Sequence, residues 1–256
     1  DLIVHDTRFS GRAVQQIYHV NFYNQDGDLV SEADSWCFRT DRDFAREEGT
    51  KYTDLKEKSK RRYTPEELAE VYALYRDEEV RGATPRYWDD VQVGDELPTM
   101  AKGPMTVTGF ICYAQGWGGL YIRANKVAWK QIDRHPGLGI ENKFGIPDCP
   151  ERVHWENDFA PEVGAPGAYD YGPERCSWLT HHLTNWMGDD GFLVRAESKI
   201  RRHNPEGDLL FINGKVTRKF EENGQSLVEI AQEARQQDDE LSIFGSGIVS
   251  LPRKSA

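Results

Sequence analysis

The sequence lacks most of the features that mark membrane, metal-binding and nucleic-acid-binding proteins. No apolar stretch approaches the roughly 20 residues that a membrane-spanning helix needs. The four cysteines form no CxxC pair, which argues against a zinc ribbon and is typical of reduced thiols in a cytoplasmic protein. The formal net charge of −11 opposes binding to nucleic acid and to anionic membranes, because such binding depends on neutralising phosphates. We therefore expect a cytoplasmic protein with no nucleic-acid or membrane partner.

The first 48 residues carry a β-rich pattern. Two runs within residues 12–46 are rich in β-branched and aromatic residues, and the turn signal Asn24–Asp28 separates them, which predicts a β-hairpin. Residues 49–86 form a charged linker. They include a predicted helix over about 64–80 with Thr64 as its N-cap. A single hairpin buries too little surface to be stable alone, so we expect it to pack against other parts of the protein.

Residues 87–252 have the pattern of one α+β domain. Helical spacing predicts a short helix over Thr108–Ala114 and a longer one over Pro173–Met187. Strands are predicted over about 192–202, 208–220, 226–235 and 242–251, with turn signals between them that favour antiparallel pairing. One long helix against a curved antiparallel sheet is the expected arrangement.

The loop before the predicted long helix carries a spaced motif. An aliphatic residue, Val153, precedes a histidine, and an alanine and two glycines follow at fixed distances: His154, Ala160, Gly164 and Gly172. This spacing resembles that of the MaoC-like acyl-CoA hydratases and dehydratases. The segments Tyr87–Leu97, Gly103–Thr108 and Pro205–Asp208 resemble other parts of the same family. The resemblance implies the hot-dog fold, in which a curved antiparallel sheet wraps around one long helix.

The sequence departs from the family pattern at two positions before His154. The family has an aspartate five residues before the histidine, where this chain has Cys149, and an asparagine at the position of Glu151. Residues 117–147 also form an insertion. The missing acid is therefore expected from Glu151 or from Asp148.

The resemblance implies a reaction that adds or removes water at the 2,3-position of an acyl-CoA thioester, with no metal and no redox cofactor. His154 would act as the base or orient the water, paired with Glu151 or Asp148. The amide of Gly172 would hold the thioester oxygen, and Tyr171 would donate a proton or line the pocket. The substrate-binding candidates are aromatic or basic residues: Trp117, Trp155, Tyr169, Arg175, His181, Arg201 and Arg202. Arg201 and Arg202, at the end of a predicted strand, are the candidates for binding the coenzyme A phosphates.

Alternative functions remain open at this point. The changed positions before His154 would also suit a non-catalytic hot-dog subunit of a hydratase complex, and the fold also hosts thioesterases. The resemblance implies a homodimer or a heterodimer with another hot-dog subunit. Residues 1–48 resemble the last strands of an incomplete first hot-dog unit, whose start is absent or is supplied by a partner.

Overall fold

Two units make up the described part of the chain, which in this computed structural model comprises residues 1–7, 11–40, 61–163 and 165–254. The first unit contains Pro161–Pro166 and three antiparallel strands in the order β1-β2-β3. The strands are β1 (Leu2–Thr7), β2 (Gly11–Tyr23) and β3 (Leu29–Thr40). The predicted hairpin corresponds to β2 and β3, and β1 is a strand that the sequence did not predict. The last residues of the predicted hairpin, 41–46, lie outside the described residues.

Helix α1 (Pro65–Arg76) begins where its capping residues predict. The Thr64 hydroxyl accepts a hydrogen bond from the backbone N–H of Glu67, and the Glu67 carboxylate accepts one from the N–H of Thr64. The helix ends earlier than the predicted residue 80. A tertiary contact accounts for this, since Glu78 lies just beyond the helix and accepts a hydrogen bond from the side chain of Asn185 at 2.8 Å.

A five-stranded antiparallel sheet forms the framework of the second unit, in the order β4-β8-β9-β10-β7. Its strands are β4 (Glu96–Lys102), β7 (Phe192–Ile200), β8 (Leu210–Glu222), β9 (Gln225–Gln236) and β10 (Leu241–Ser250). The last four agree with the predicted strands to within a few residues. Their alternating burial leaves one face of the sheet for the core and exposes much of the other.

Helix α4 (Gly172–Met187) packs against the buried face of this sheet, as predicted. Leu183 of the helix is almost fully buried, and a Cβ atom added at Gly247 of β10 would lie 2.2 Å from its Cδ1 atom. A side chain at position 247 would therefore displace Leu183, which favours glycine at this contact between helix and strand. The core residues at this contact come from the helix and from several strands: Leu179, Leu183, Trp186, Ile212, Val228, Ile230, Ile243 and Val249.

The segment between β4 and α4 positions the candidate site. Helix α2 (Val107–Trp117) is longer than the predicted 108–114 and ends at Gly118, whose φ is +88°. The insertion contains helix α3 (Asn125–Arg134), which the sequence did not predict, and two short paired strands, β5 (Ile140–Glu141) and β6 (Pro147–Asp148). Short 3-10 helices cover Trp88–Asp90, Pro136–Leu138, Pro150–His154 and Ala160–Val163. None of the described helices combines the length and the hydropathy that crossing a membrane would require.

Candidate active site

The loop that carries His154 is a 3-10 helix, Pro150–His154, with Cys149 as its N-cap. The Cys149 Sγ atom accepts a hydrogen bond from the backbone N–H of Glu151 at 3.3 Å. Burial raises the pKa of Cys149 to about 11, so the thiol stays protonated at neutral pH. The position where the family has an acid therefore supplies a helix cap in this chain.

His154 meets the backbone just before helix α4. Its Nδ1 atom lies 2.8 Å from the carbonyl oxygen of Tyr169. Because a carbonyl only accepts, Nδ1 carries the proton and Nε2 keeps a lone pair in the neutral ring. Burial lowers the pKa of His154 to about 4, although the bond to Tyr169 acts in the opposite direction. The imidazole is therefore neutral at physiological pH, with Nε2 able to accept a hydrogen bond.

Aromatic rings hold the His154 side chain on both sides. The rings of His154 and Tyr171 stack with centroids 3.7 Å apart, and the Tyr169 ring packs edge-on to His154 at 4.6 Å. Tyr169 in turn packs on His203, with centroids 4.2 Å apart. Tyr169 was predicted to bind substrate, and the structure gives its ring a packing role beside the histidine.

Glu151 and Tyr171 bring two buried polar atoms to the same place. In a 3-10 helix, residues three apart share a face, so Glu151 lies on the same face as His154. The Glu151 Oε1 atom accepts a hydrogen bond from the Tyr121 N–H at 2.7 Å. Glu151 Oε2 and the Tyr171 hydroxyl are buried close to each other, and within the described residues neither makes a hydrogen bond of standard geometry. Burial, and then the charge of Glu151, raises the pKa of Tyr171 well above its usual range, so the group stays a hydroxyl.

Two buried polar groups of this kind are costly unless a ligand or water bonds to them. The Glu151 carboxylate oxygen accepts hydrogen bonds, and the Tyr171 hydroxyl can donate one. Together with His154 Nε2, they form a small set of groups that suits a bound water and a developing charge.

The start of helix α4 lies directly after Tyr171. Gly172 is the first helical residue, so its N–H has no partner within the helix and lies at the positive end of the helix dipole. Pro173 has no N–H to contribute. The Glu174 carboxylate accepts a hydrogen bond from the Tyr171 N–H at 3.3 Å, which holds the turn, and burial raises the pKa of Glu174 to about 7. Within the described residues, Gly172 thus presents an amide without an intrahelical partner, one residue from the ring on which His154 stacks.

Helix α2 contributes two further aromatic rings to this cluster. The Trp117 ring meets Tyr171 edge-on at 5.7 Å, and the Tyr113 ring lies 5.5 Å from Tyr171. Trp117 was predicted at the site, whereas Tyr113 was missed. The predicted helix Thr108–Ala114 stopped short of Trp117; in the observed helix Tyr113 lies four residues before Trp117, a spacing that puts both rings on one face.

Asp148 does not take part in this arrangement. Its Oδ1 atom accepts a hydrogen bond from the Cys149 N–H at 2.6 Å, and its Oδ2 atom accepts one from the Asn142 side chain at 3.2 Å. Both oxygens are therefore used to fold the insertion. Glu151 and Asp148 were the two candidates for the acid paired with His154, and Glu151 is the one that lies beside Tyr171.

The prediction that Arg175 binds substrate is not supported. The guanidinium is buried, lies 3.0 Å from the fully buried Asp170, and donates to the carbonyl of Arg202. Asp170 also accepts hydrogen bonds from the backbone and side chain of Asn204. This network fixes the segment before helix α4, which carries the Tyr169 carbonyl and Tyr171.

The side chains of His181, Arg201 and Arg202 make their contacts with residues outside the cluster around His154. At 1.5 Å per helical residue, His181 lies about 13 Å further along the helix axis than Gly172. It contacts Lys102 at 3.1 Å and Glu78 at 3.6 Å. Arg201 stacks over Phe244 at 5.2 Å, and Arg202 pairs with Glu240 at 3.0 Å. The expected contact of these arginines with coenzyme A phosphates remains a prediction.

Within the described ranges, no group of three or more histidine, cysteine, aspartate or glutamate side chains is arranged to hold a metal ion. The motif residue Gly164 lies outside those ranges. The candidate site consists of His154, Glu151, Tyr171 and the Gly172 amide, with the rings of Trp117 and Tyr113 packed against Tyr171.

Comparison with solved structures identifies the fold. No family model and no curated protein matches the sequence. A MaoC domain protein dehydratase from Chloroflexus aurantiacus J-10-fl superposes with a TM-score of 0.56 and 12% identity, over 99% of this chain and 69% of that one. A second MaoC-like dehydratase gives a TM-score of 0.55 and 16% identity, over 98% of this chain and 67% of that one. This chain thus has the hot-dog fold that the motifs predicted.

Proposed function

We propose that this chain is a hydratase or dehydratase of the MaoC-like family, which adds or removes water at the 2,3-position of an acyl-CoA thioester. One observation carries the proposal. The His154 ring stacks on Tyr171 at the start of helix α4, and the Tyr171 hydroxyl is buried beside Glu151. These groups supply what hydration needs, namely an acceptor for a proton of water, a group that orients the water and a proton donor.

In the direction of hydration, the water gives one proton to Glu151 while its oxygen forms the bond to the β-carbon. His154 Nε2 accepts the second hydrogen of the water and orients it. A pKa of about 4 makes His154 a weak base, which suits an orienting role better than proton abstraction. The electron pair of the double bond moves onto the thioester, whose oxygen becomes negative.

The Gly172 N–H would hold that oxygen, a role supported by its position at the helix start, where amides stabilise negative charge. The Tyr171 hydroxyl then protonates the α-carbon and recovers a proton from the neighbouring Glu151, which restores both groups. Dehydration follows the same steps in reverse.

The test is direct. The purified chain is mixed with a 2-enoyl-CoA, the loss of the conjugated enoyl absorbance is followed, and the 3-hydroxyacyl-CoA is identified by mass spectrometry. His154→Ala is expected to lower kcat by roughly 10² fold or more, because the attacking water is no longer held in the reactive position. His181→Ala is the control, since that histidine lies elsewhere, and it should keep near-normal turnover.

Other outcomes would contradict the proposal. Release of the free acid and free thiol would identify a thioesterase. Turnover that appears only when another hot-dog subunit is added would identify a non-catalytic subunit. Near-normal turnover in folded His154→Ala would remove the histidine from the mechanism.

We also propose that the protein is cytoplasmic and that it forms a homodimer or a heterodimer with another hot-dog subunit. Residues 1–48 would be the last strands of an incomplete first hot-dog unit. The three-stranded sheet of the first unit supports the need for a covering partner, because it exposes large apolar side chains that include Leu2, Phe22, Leu29 and Trp36.

A further inference from the structure

A cavity of about 340 Å³ lies against the hydrophobic cluster that contains Tyr171. Ala114 and Ile122 line the cavity, and both pack in that cluster with Tyr171. Trp155 also lines the cavity and directly follows His154 along the chain. The cavity thus adjoins the cluster around Tyr171, one of the groups proposed to act on the double bond.

The lining of this cavity is almost entirely apolar. Helix α2 supplies one stripe of residues at helical spacing, and the insertion supplies Ile122. Among the described residues that line the cavity, the polar groups are the Gln115 amide and the Trp155 indole N–H, and no side chain is charged. The full lining is Ile111, Ala114, Gln115, Gly118, Ile122 and Trp155.

We propose that this cavity holds the acyl chain, and that the substrates are thioesters of apolar acyl groups with about ten heavy atoms. The inference rests on the proposed function, because it takes the reacting end of the substrate to lie beside His154. The size follows from the volume, since a water-sized group occupies roughly 30 Å³ of liquid. The apolar character follows from the lining, because a charged chain end would be buried without a partner.

Binding of saturated acyl-CoAs tests the cavity independently of the chemistry. Calorimetry should show decanoyl-CoA binding far more tightly than butyryl-CoA, by about fourfold for each added methylene. A decanoyl-CoA that carries a terminal carboxylate should lose most of this gain. Equal affinities for the short, long and carboxylated chains would overturn the inference.

Two variants test whether this cavity causes the dependence of affinity on acyl-chain length. Ile111→Trp fills the cavity and should reduce the decanoyl-to-butyryl affinity ratio at least thirtyfold, whereas Ile122→Ala enlarges it and should shift the preference to longer chains. Val127→Trp, at an exposed position of helix α3 outside the lining, is the matched control and should leave the ratio unchanged. An unchanged ratio in folded Ile111→Trp would place the acyl chain elsewhere.

The two proposals can fail separately. If long acyl-CoAs bind in this cavity but no 2-enoyl-CoA is hydrated, the acyl site stands and the proposed chemistry is wrong. If 2-enoyl-CoAs are hydrated at equal rates from four to ten carbons, the chemistry stands and the acyl site is wrong.

Discussion

Replacing Glu151 with glutamine tests which of two neighbouring acids performs the chemistry. The substitution removes the carboxylate that faces Tyr171 but keeps an oxygen that can accept the hydrogen bond from the Tyr121 N–H, which measures 2.7 Å. The loss of stability should therefore stay near 1 kcal/mol, the usual value of one hydrogen bond. The loss of a positioned base should lower kcat by roughly 10² to 10⁴ fold, or about 3–5 kcal/mol in the activation barrier.

Asp148→Asn is the matched control for this experiment. Asp148 is also an acid close to His154 in sequence, but its oxygens bond Cys149 and Asn142 within the insertion. Its replacement should change the melting temperature slightly and leave kcat within about threefold, since it removes about one hydrogen bond. Both variants are assayed by loss of enoyl-CoA absorbance at saturating substrate. Retention of more than a tenth of the activity in Glu151→Gln, or an equal loss in Asp148→Asn, would refute the assignment.

Two further predictions concern stability. The pKa of His154 is about 4 in the folded chain and 6.5 in the unfolded chain, so acidification between these values protonates the unfolded state preferentially and destabilises the fold. His154→Gln removes this titrating group. Between pH 7 and pH 4, its free energy of unfolding, measured by urea titration, should fall by roughly 3 kcal/mol less than that of the wild type. An equal fall in both proteins would contradict the buried state of His154. Gly247→Ala should lower the free energy of unfolding by about 1–3 kcal/mol, because its Cβ atom would overlap Leu183. Gly137→Ala, whose Cβ atom would meet nothing within 4 Å, should stay within about 0.5 kcal/mol of the wild type, and equal effects would exclude the overlap as the cause.

The sheet and the long helix could be predicted from the sequence because their signals are local. Alternating apolar residues and clear turns mark β8, β9 and β10, and each strand pairs with the next one along the chain. Helix α4 begins at a Gly-Pro pair and follows helical spacing. These patterns do not depend on distant residues, so the predicted bounds agree with the observed ones to within a few residues.

The insertion and the partners of charged groups could not be predicted in this way. Helix α3 has Ala124 at its N-cap and no side-chain N-cap hydrogen bond, so no capping residue marks its start. Arg175 pairs with Asp170, and that pair is completed by Asn204 from a distant part of the chain. A basic residue on a central helix is compatible with either an ion pair or a substrate contact. Only the fold decides between them.

The departure from the family pattern before His154 has a simple geometric explanation. The 3-10 helix turns once every three residues, so position 151 returns to the face of position 154, whereas position 149 lies at the cap. A cysteine can cap through its sulfur, which Cys149 does with the Glu151 N–H. Cys149 thus occupies the cap, and Glu151 faces Tyr171 from the first turn. The combination of Cys149 and Glu151 is thus consistent with a site whose acid has moved by two residues, and this is why Glu151→Gln is the decisive variant.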